Sequence, residues 1–189
     1  MDTAPMEQAY ATTRGVLANV SPEQMDDPTP CASWTVRELI NHMIGGAMWA
    51  AGAVQSGTSD SDGSDTPDFT DGDYLASFDE GVANVTEAFG SPEAGDKTLS
   101  LPFGEIPAPV FMGFATTDAF VHGWDLAKAT GQSTDLDPEF AQGMLDVSRA
   151  NIQDEFRGPD GQAPFGPEQP APAGSSAADQ LAAFLRRTV

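Results

Sequence analysis

The two histidines of this chain are the residues best suited to chemistry, because both interrupt the apolar stripe of a predicted helix. His122 follows Asp118 by four residues, which puts their β-carbons about 5 to 6 Å apart on one helical face. A carboxylate and an imidazole so placed can bind one metal ion. His42 lies far earlier in the chain, and a buried imidazole without a partner costs about 1 to 3 kcal/mol. A shared ion would satisfy both histidines.

Spacing alone leaves a simpler arrangement open. An aspartate and a histidine four residues apart also form a plain hydrogen bond or a solvated pair, and the sequence does not show that residues 42 and 122 meet. If two histidines and one carboxylate do share an ion, coordination positions stay open, as in a catalytic rather than a structural zinc site. Asp125, three residues past His122, is predicted either to orient a ligand or to hold a neighbouring helix.

The histidines fall on the second and fourth predicted helices. The second has the best-defined start, since Thr35 and Glu38 have capping-box spacing and Trp34 and Leu39 have the spacing of a hydrophobic staple. The fourth is expected over about 109–130, and one of its faces carries the chemistry-bearing residues at three- and four-residue steps: Phe111, Phe114, Asp118, His122 and Asp125.

Other helices are predicted near 5–20, 70–90, 138–150 and 176–187 from apolar residues at helical steps, with Thr70 as the cap of the third helix. On the fifth helix the residues predicted to face inward are Phe140, Met144 and Val147. The segment near 98–106 is extended and proline-rich, which indicates a short strand or hairpin. The stretch Gly158 to Gly174 is predicted to run irregularly over the surface.

Composition excludes several classes of protein. The 189 residues, 40% of them hydrophobic, fit a single domain over 1–189. A net charge of −21 repels nucleic acid and anionic membranes. Neither a secretory signal nor a run of about 18 apolar residues is present, so we expect a cytoplasmic protein. The single cysteine, Cys31, excludes an internal disulfide, and a small buried apolar role is favoured for it over a reactive thiol.

Three motifs in order carry a resemblance to a known family: PCASWTVRELINHMIGG, LPFGEIPA and TTDAFVHGWDLAKATGQ. They resemble the actinobacterial branch of the DinB-like family, related to the N-terminal domain of mycothiol-dependent maleylpyruvate isomerase. The resemblance implies an all-α four-helix bundle with extra C-terminal helices, in which His42, Asp118 and His122 bind a divalent metal. Zinc is the expected ion, with nickel or another ion as alternatives. Asp118 stands where the isomerase has Glu, and its shorter arm could bind through a water.

The same resemblance implies a metal-dependent enzyme that uses a low-molecular-weight thiol such as mycothiol in transferase or isomerase chemistry on a small electrophile. The alternative is a non-catalytic metal-binding or small-molecule-binding protein of the same fold. The isomerases carry a further C-terminal domain, so maleylpyruvate itself is not assigned as the substrate. Anionic substrate groups would have few basic partners, such as Arg37, Arg149 and Arg157. Trp49 and Trp124 are expected either in the core or along a pocket, and a homodimer is allowed.

Overall fold

The computed structural model describes residues 1–31, 34–64, 66–152, 157–158 and 166–189. Within these residues the chain forms a helical protein with one small hairpin. The elements in chain order are α1 (Ala4–Leu17), α2 (Val36–Ser56), α3 (Tyr74–Gly90), β1 (Thr98–Leu101), β2 (Gly104–Pro107), α4 (Ala108–Ala129), α5 (Pro138–Asn151) and α6 (Ala177–Phe184).

The first four helices form a closed ring around the core. Helix α1 packs on α4, α4 on α2, α2 on α3, and α3 on α1, so consecutive helices α1 and α2 lie on a diagonal of the bundle. Helices α5 and α6 pack on each other, and α6 also rests on α4. The predicted all-α, four-helix bundle with extra C-terminal helices is confirmed. This ring places α2 and α4, the two histidine-bearing helices, side by side.

The start of α2 is fixed by the predicted capping box. The Thr35 hydroxyl accepts from the backbone N–H of Glu38 at 3.4 Å, and the Glu38 carboxylate accepts from the N–H of Thr35 at 2.7 Å. Gly57, with φ +80°, ends the helix in the left-handed conformation that glycine adopts without strain. Because the register of α2 is fixed at its first turn, so is the direction in which His42 projects.

The predicted cap of the third helix is wrong by three residues. Thr70 lies in a separate 3₁₀ turn, Phe69–Asp71, because the carboxylate of Asp68 accepts from its N–H and its hydroxyl. Helix α3 begins only after Asp73, whose carboxylate accepts from the N–H of Ala76 at 3.0 Å. Two closely spaced aspartate turns therefore replace the single cap that the spacing indicated.

A close approach of α1 and α4 sets the position of His122. The buried Thr13 hydroxyl donates to the carbonyl oxygen of Ala119 at 2.7 Å. Gly123 faces the same threonine, and a β-carbon there would clash with the Thr13 side chain. The absence of a side chain at 123 lets the two backbones meet beside the histidine.

The hairpin predicted near 98–106 is confirmed. Strands β1 and β2 pair antiparallel, with Leu99 opposite Ile106 and Leu101 opposite Gly104. The inward side chains of this pair are buried. The hairpin leads directly into α4, whose first residue Ala108 donates its N–H to the carbonyl of Lys97 at 2.9 Å. It therefore anchors the start of the helix that carries Asp118 and His122.

The C-terminal part agrees with expectation in outline. On α5, Ala141, Met144 and Leu145 are buried, but Val147 is 63% exposed, so its predicted inward placement is wrong. Residues 159–165 of the predicted irregular stretch lie outside the described residues. Among the helices that the structure describes, none combines the length and the apolar character needed to cross a membrane.

Candidate metal centre

Helices α2 and α4 bring His42, Asp118 and His122 together. The Nε2 atom of His122 lies 3.2 Å from Oδ1 of Asp118, and the Nε2 atom of His42 lies 3.6 Å from Oδ2 of the same carboxylate. The two imidazole ring centres are 4.8 Å apart. One ligand atom from each residue falls within 4.8 Å of the other two. The three side chains thus converge on one point between the helices.

The donor set fits a divalent ion. Bonds of 2.0 to 2.2 Å at tetrahedral angles put neighbouring ligand atoms about 3.3 Å apart, close to both distances from the Asp118 carboxylate. Within the described part of the chain, His42 Nε2 is buried and has no hydrogen-bond partner. A buried nitrogen of this kind needs a partner to offset its desolvation, and a cation held jointly with Asp118 and His122 would supply one.

Exposure decreases across the site from one ligand to the next. The Asp118 side chain is 50% exposed, that of His42 27% and that of His122 8%. An ion held by these three residues would therefore face solvent on the Asp118 side and protein on the His122 side. The open side leaves coordination positions for a molecule from solution.

The buried side of His122 is occupied by Asp125 and Arg187. The Nδ1 atom of His122 lies 3.0 Å from Oδ2 of Asp125, whose side chain is fully buried. Arg187 donates to both carboxylate oxygens, with its Nη2 2.8 Å from Oδ2 and its Nε 3.1 Å from Oδ1. An Asp125 carboxylate that accepts from Nδ1–H leaves Nε2 of His122 free to bind a metal.

Asp118 and His122 shift each other's pKa values in opposite directions. Partial desolvation of the Asp118 carboxylate between the two helices would raise its pKa, but the neighbouring imidazoles of His122 and His42 lower it far below the ordinary value. Burial alone would lower the pKa of His122, but Asp118 and Asp125 raise it well above its ordinary value. On the α1 side, burial and the charge of Asp118 raise the pKa of Tyr10 well above its ordinary value. The site therefore places the His122 imidazole between two carboxylates that favour its protonated form, beside a phenol whose deprotonation is opposed.

Comparison with known proteins identifies the fold family. The family model described as the mycothiol maleylpyruvate isomerase N-terminal domain matches residues 6–127. The chain belongs to this family. The match spans the four bundle helices and includes His42, Asp118 and His122, whereas α5, α6 and Arg187 lie beyond it.

Two similar proteins come from Mycobacterium tuberculosis. They are the uncharacterized protein MT0763 of strain CDC 1551 / Oshkosh and the uncharacterized protein Rv0738 of strain ATCC 25618 / H37Rv. Each is 43% identical over 187 residues, which cover 97% of this chain and 96% of the relative. No solved structure matches the chain significantly. The similarity therefore extends past the isomerase N-terminal domain, through the C-terminal helices of this chain.

Cys31 does not have the buried apolar environment that was favoured for it. Its thiol donates to Oδ2 of Asp125 at 3.1 Å and lies 3.8 Å from Nδ1 of His122. Cys31, His122 and Asp125 thus form a second group that could hold an ion. Arg187 argues against that use, because its guanidinium already occupies both oxygens of Asp125 and would repel a cation. We therefore favour His42, Asp118 and His122 as the metal-binding set.

Trp34 is the aromatic residue at the site. Its ring centre lies 4.4 Å from that of His42 and 5.7 Å from that of His122. The two tryptophans considered for a pocket have other roles. Trp49 packs on Phe111, and the buried Trp124 donates its indole N–H to Asp179 at 2.8 Å. The staple spacing of Trp34 and Leu39 predicted only a contact between those two residues and gave no sign that Trp34 contacts both imidazoles.

Two of the three arginines considered for anionic substrate groups have other partners. Arg37 contacts Thr70 and lies 3.7 Å from Asp68, while Arg157 packs on the Phe184 ring. Arg149 lines a groove of about 670 Å³ formed with residues 168–174. A second groove, of about 560 Å³, lies between α1 and α3. Neither of these two grooves is lined by the histidines.

Proposed function

We propose that this protein is a metal-dependent enzyme, with zinc as its ion, that joins a low-molecular-weight thiol such as mycothiol to a small electrophile in transferase or isomerase chemistry. The observation that carries the proposal is the three-residue donor set, closed at His122 and open to solvent at Asp118. A set of two imidazoles and one carboxylate is the donor combination found in catalytic zinc sites. Membership of the mycothiol maleylpyruvate isomerase family supports a thiol cosubstrate.

The chain's own residues provide the setting for that chemistry. A divalent ion in this site supplies Lewis acidity, which lowers the pKa of a thiol and yields a better nucleophile near neutral pH. Asp125 holds His122 in the tautomer that directs Nε2 toward the site. Trp34 forms an aromatic wall against both imidazoles and limits water on that side.

The reaction itself follows from thiol chemistry. The thiol loses its proton to solvent, and the thiolate sulfur forms a bond to an electrophilic carbon of the substrate. In a transferase the leaving group departs from that carbon with its electron pair, and the thiol remains attached to the product. In an isomerase the sulfur adds to a carbon–carbon double bond, whose π electrons move to the neighbouring atoms; after rotation about the resulting single bond the sulfur–carbon bond breaks, the double bond forms again and the thiolate is recovered.

Metal content is the first test. Protein purified without added metal should contain about one divalent ion per chain by elemental analysis, and His42→Ala and His122→Ala should each remove it. Cys31→Ser serves as the matched control, because it alters a neighbouring donor outside the proposed set. Full occupancy in both histidine variants would show that the assigned ligands are wrong.

Turnover is the second test. Protein loaded with zinc is assayed with mycothiol against a panel of small electrophiles, and again after removal of the metal by a chelator. The proposal expects a thiol-dependent rate that disappears with the metal and returns when zinc is added. The alternative is a non-catalytic metal-binding or small-molecule-binding protein of the same fold. Stoichiometric metal binding without turnover on any electrophile would support that alternative.

The cytoplasmic location, the homodimer and the exclusion of nucleic acid and membrane partners remain predictions. The net charge of −21 supports the last of these. Gel filtration with light scattering tests the homodimer, and cell fractionation tests the location.

A further inference from the structure

The C-terminal end of the chain reaches the buried side of the metal centre. Arg187 lies 62 residues beyond Asp125, yet three of its contacts are with that carboxylate: Nε to Oδ1 at 3.1 Å, Nε to Oδ2 at 3.3 Å and Nη2 to Oδ2 at 2.8 Å. The same Nη2 lies 3.6 Å from the Cys31 sulfur, and Nη1 donates to the Leu185 carbonyl at 3.1 Å. This residue is outside the segment that the family model matches.

The backbone after α6 turns so that the Arg187 side chain points toward α4. Arg186 has φ +84°, a left-handed conformation that is strained for a residue with a β-carbon. The N–H of Arg187 then donates back to the carbonyl of Ala182 at 2.8 Å, which completes a Schellman turn. Glycine is the usual residue at the left-handed position, so the chain accepts a less favourable backbone in order to turn Arg187 toward α4.

Two adjacent residues of α4 hold α6 in place. Trp124 donates to Asp179 of α6 at 2.8 Å, and Asp125 accepts from Arg187 just beyond the helix. The Asp125 side chain is fully buried, and that of Arg187 is 21% exposed. Because the carboxylate also contacts His122 Nδ1, any movement of Arg187 changes the partner that orients the imidazole.

We propose that Arg187 is a positioning residue for the metal site, acting through Asp125 and His122, and that the C-terminal turn and the bound cation stabilise each other. The proposal rests on the proposed metal site. Arg187 fixes the Asp125 carboxylate, and Asp125 in turn holds the His122 ring with Nε2 directed at the ion. Since coupling between two binding events is reciprocal, an ion at Nε2 also favours the docked C-terminal turn.

The test compares Arg187→Gln with a matched arginine elsewhere. Arg14 makes a similar two-pronged contact with Asp79 on the surface, between α1 and α3, neither of which carries a proposed metal ligand, so Arg14→Gln removes the same kind of pair. We expect Arg187→Gln to weaken zinc binding about tenfold, as measured by chelator competition, while Arg14→Gln leaves it unchanged. Arg187→Lys keeps the charge and one donor, and should recover part of the affinity.

Two further readouts separate positioning from general stability. Cobalt bound to the site should show a shifted visible absorption in Arg187→Gln at temperatures where circular dichroism shows the variant folded. In the wild-type protein, zinc should slow hydrogen exchange of the amides at 182–189, and this measurement needs no variant. The proposal is overturned if folded Arg187→Gln keeps the zinc affinity and the cobalt spectrum of the wild-type protein. It is also overturned if zinc does not change the hydrogen exchange of the amides at 182–189. If the wild-type protein binds no divalent ion, the proposed function itself fails.

Discussion

The two nitrogen atoms of His122 face different environments. Nε2 lies on a side that is open to solvent, and Nδ1 lies on a side that is filled by protein. On the Nε2 side, the carboxylate of Asp118 is half exposed and His42 Nε2 has no hydrogen-bond partner among the described residues. On the Nδ1 side, Asp125 is fully buried and its oxygens are held by Arg187. One side is free to take a ligand, and the other is already satisfied by protein.

The two sides of the His122 ring therefore have different roles. The closed side supplies tautomer and orientation, because a buried carboxylate that accepts from Nδ1–H fixes the ring. The open side supplies the binding atoms and the access for a substrate. Substitutions of Asp125 or Arg187 should therefore change both stability and metal affinity, whereas those of His42 or Asp118 should act mainly on metal affinity.

The largest effect is expected when the ring that joins the two sides is removed. His122→Ala should abolish metal binding and lower the free energy of unfolding by about 3 kcal/mol, because it leaves the buried Asp125 without one partner. His42→Ala should also abolish metal binding but cost the metal-free protein only about 1 kcal/mol, from lost packing on Trp34. Elemental analysis and chemical denaturation of the metal-free proteins measure the two effects. Equal destabilisation by both substitutions would contradict the contrast.

Helical periodicity explains how much of this arrangement could be read from sequence. It placed His42 on the inward stripe of α2, and Asp118, His122 and Asp125 on one face of α4, because residues three and four apart share a face. It could not place Arg187, which is 62 residues beyond Asp125 and stands at the end of the predicted helix 176–187, after the last residue of α6. Cys31 precedes α2 in an irregular segment, so no period oriented its thiol. The open side and Asp125 were therefore predictable in outline, whereas Arg187 and Cys31 on the closed side were not.

Single substitutions of the two carboxylates, one on each side of His122, test the contrast between the buried and the exposed side. Asp125→Asn should lower the free energy of unfolding by about 3 kcal/mol, since Arg187 loses its charged partner in a largely buried position. Asp118→Asn should change that free energy by less than about 1 kcal/mol, because the side chain is half exposed, while still weakening metal binding. Urea denaturation and zinc competition, run on the same two variants, separate stability from affinity. The comparison fails if Asp118→Asn proves the more destabilising of the two.

Metal binding should strengthen as the pH rises. Although burial opposes it, the two carboxylates raise the pKa of His122 well above 6.5, so the protonated ring stabilises the metal-free fold below that pH. This contribution is lost as the pH rises through the raised pKa of the folded state, and a metal must displace the proton to bind Nε2. We expect zinc affinity to rise up to about tenfold per pH unit around neutrality.

Calorimetry in buffers of different ionisation enthalpy measures the released protons directly. About one proton should leave per ion bound to the wild-type protein at pH 7. Zinc binding with no buffer dependence would mean that His122 is already neutral, and that the two carboxylates do not hold a proton on the ring.

The smallest effect is expected at Cys31, and it decides between the two donor groups that share His122. If the ion lies on the Nε2 side, Cys31→Ser should keep about one ion per chain and change zinc affinity by less than about threefold, since a serine hydroxyl can still donate to Asp125. If the ion instead lies on the Nδ1 side, the same substitution removes a thiolate ligand and should abolish binding, and Arg187 would have to leave Asp125. Cobalt spectra distinguish the cases independently, because a cysteine ligand adds intense charge-transfer absorption in the near ultraviolet. Such a band in the wild-type protein, lost in Cys31→Ser, would move the metal to the closed side and reverse the roles assigned to the two nitrogens.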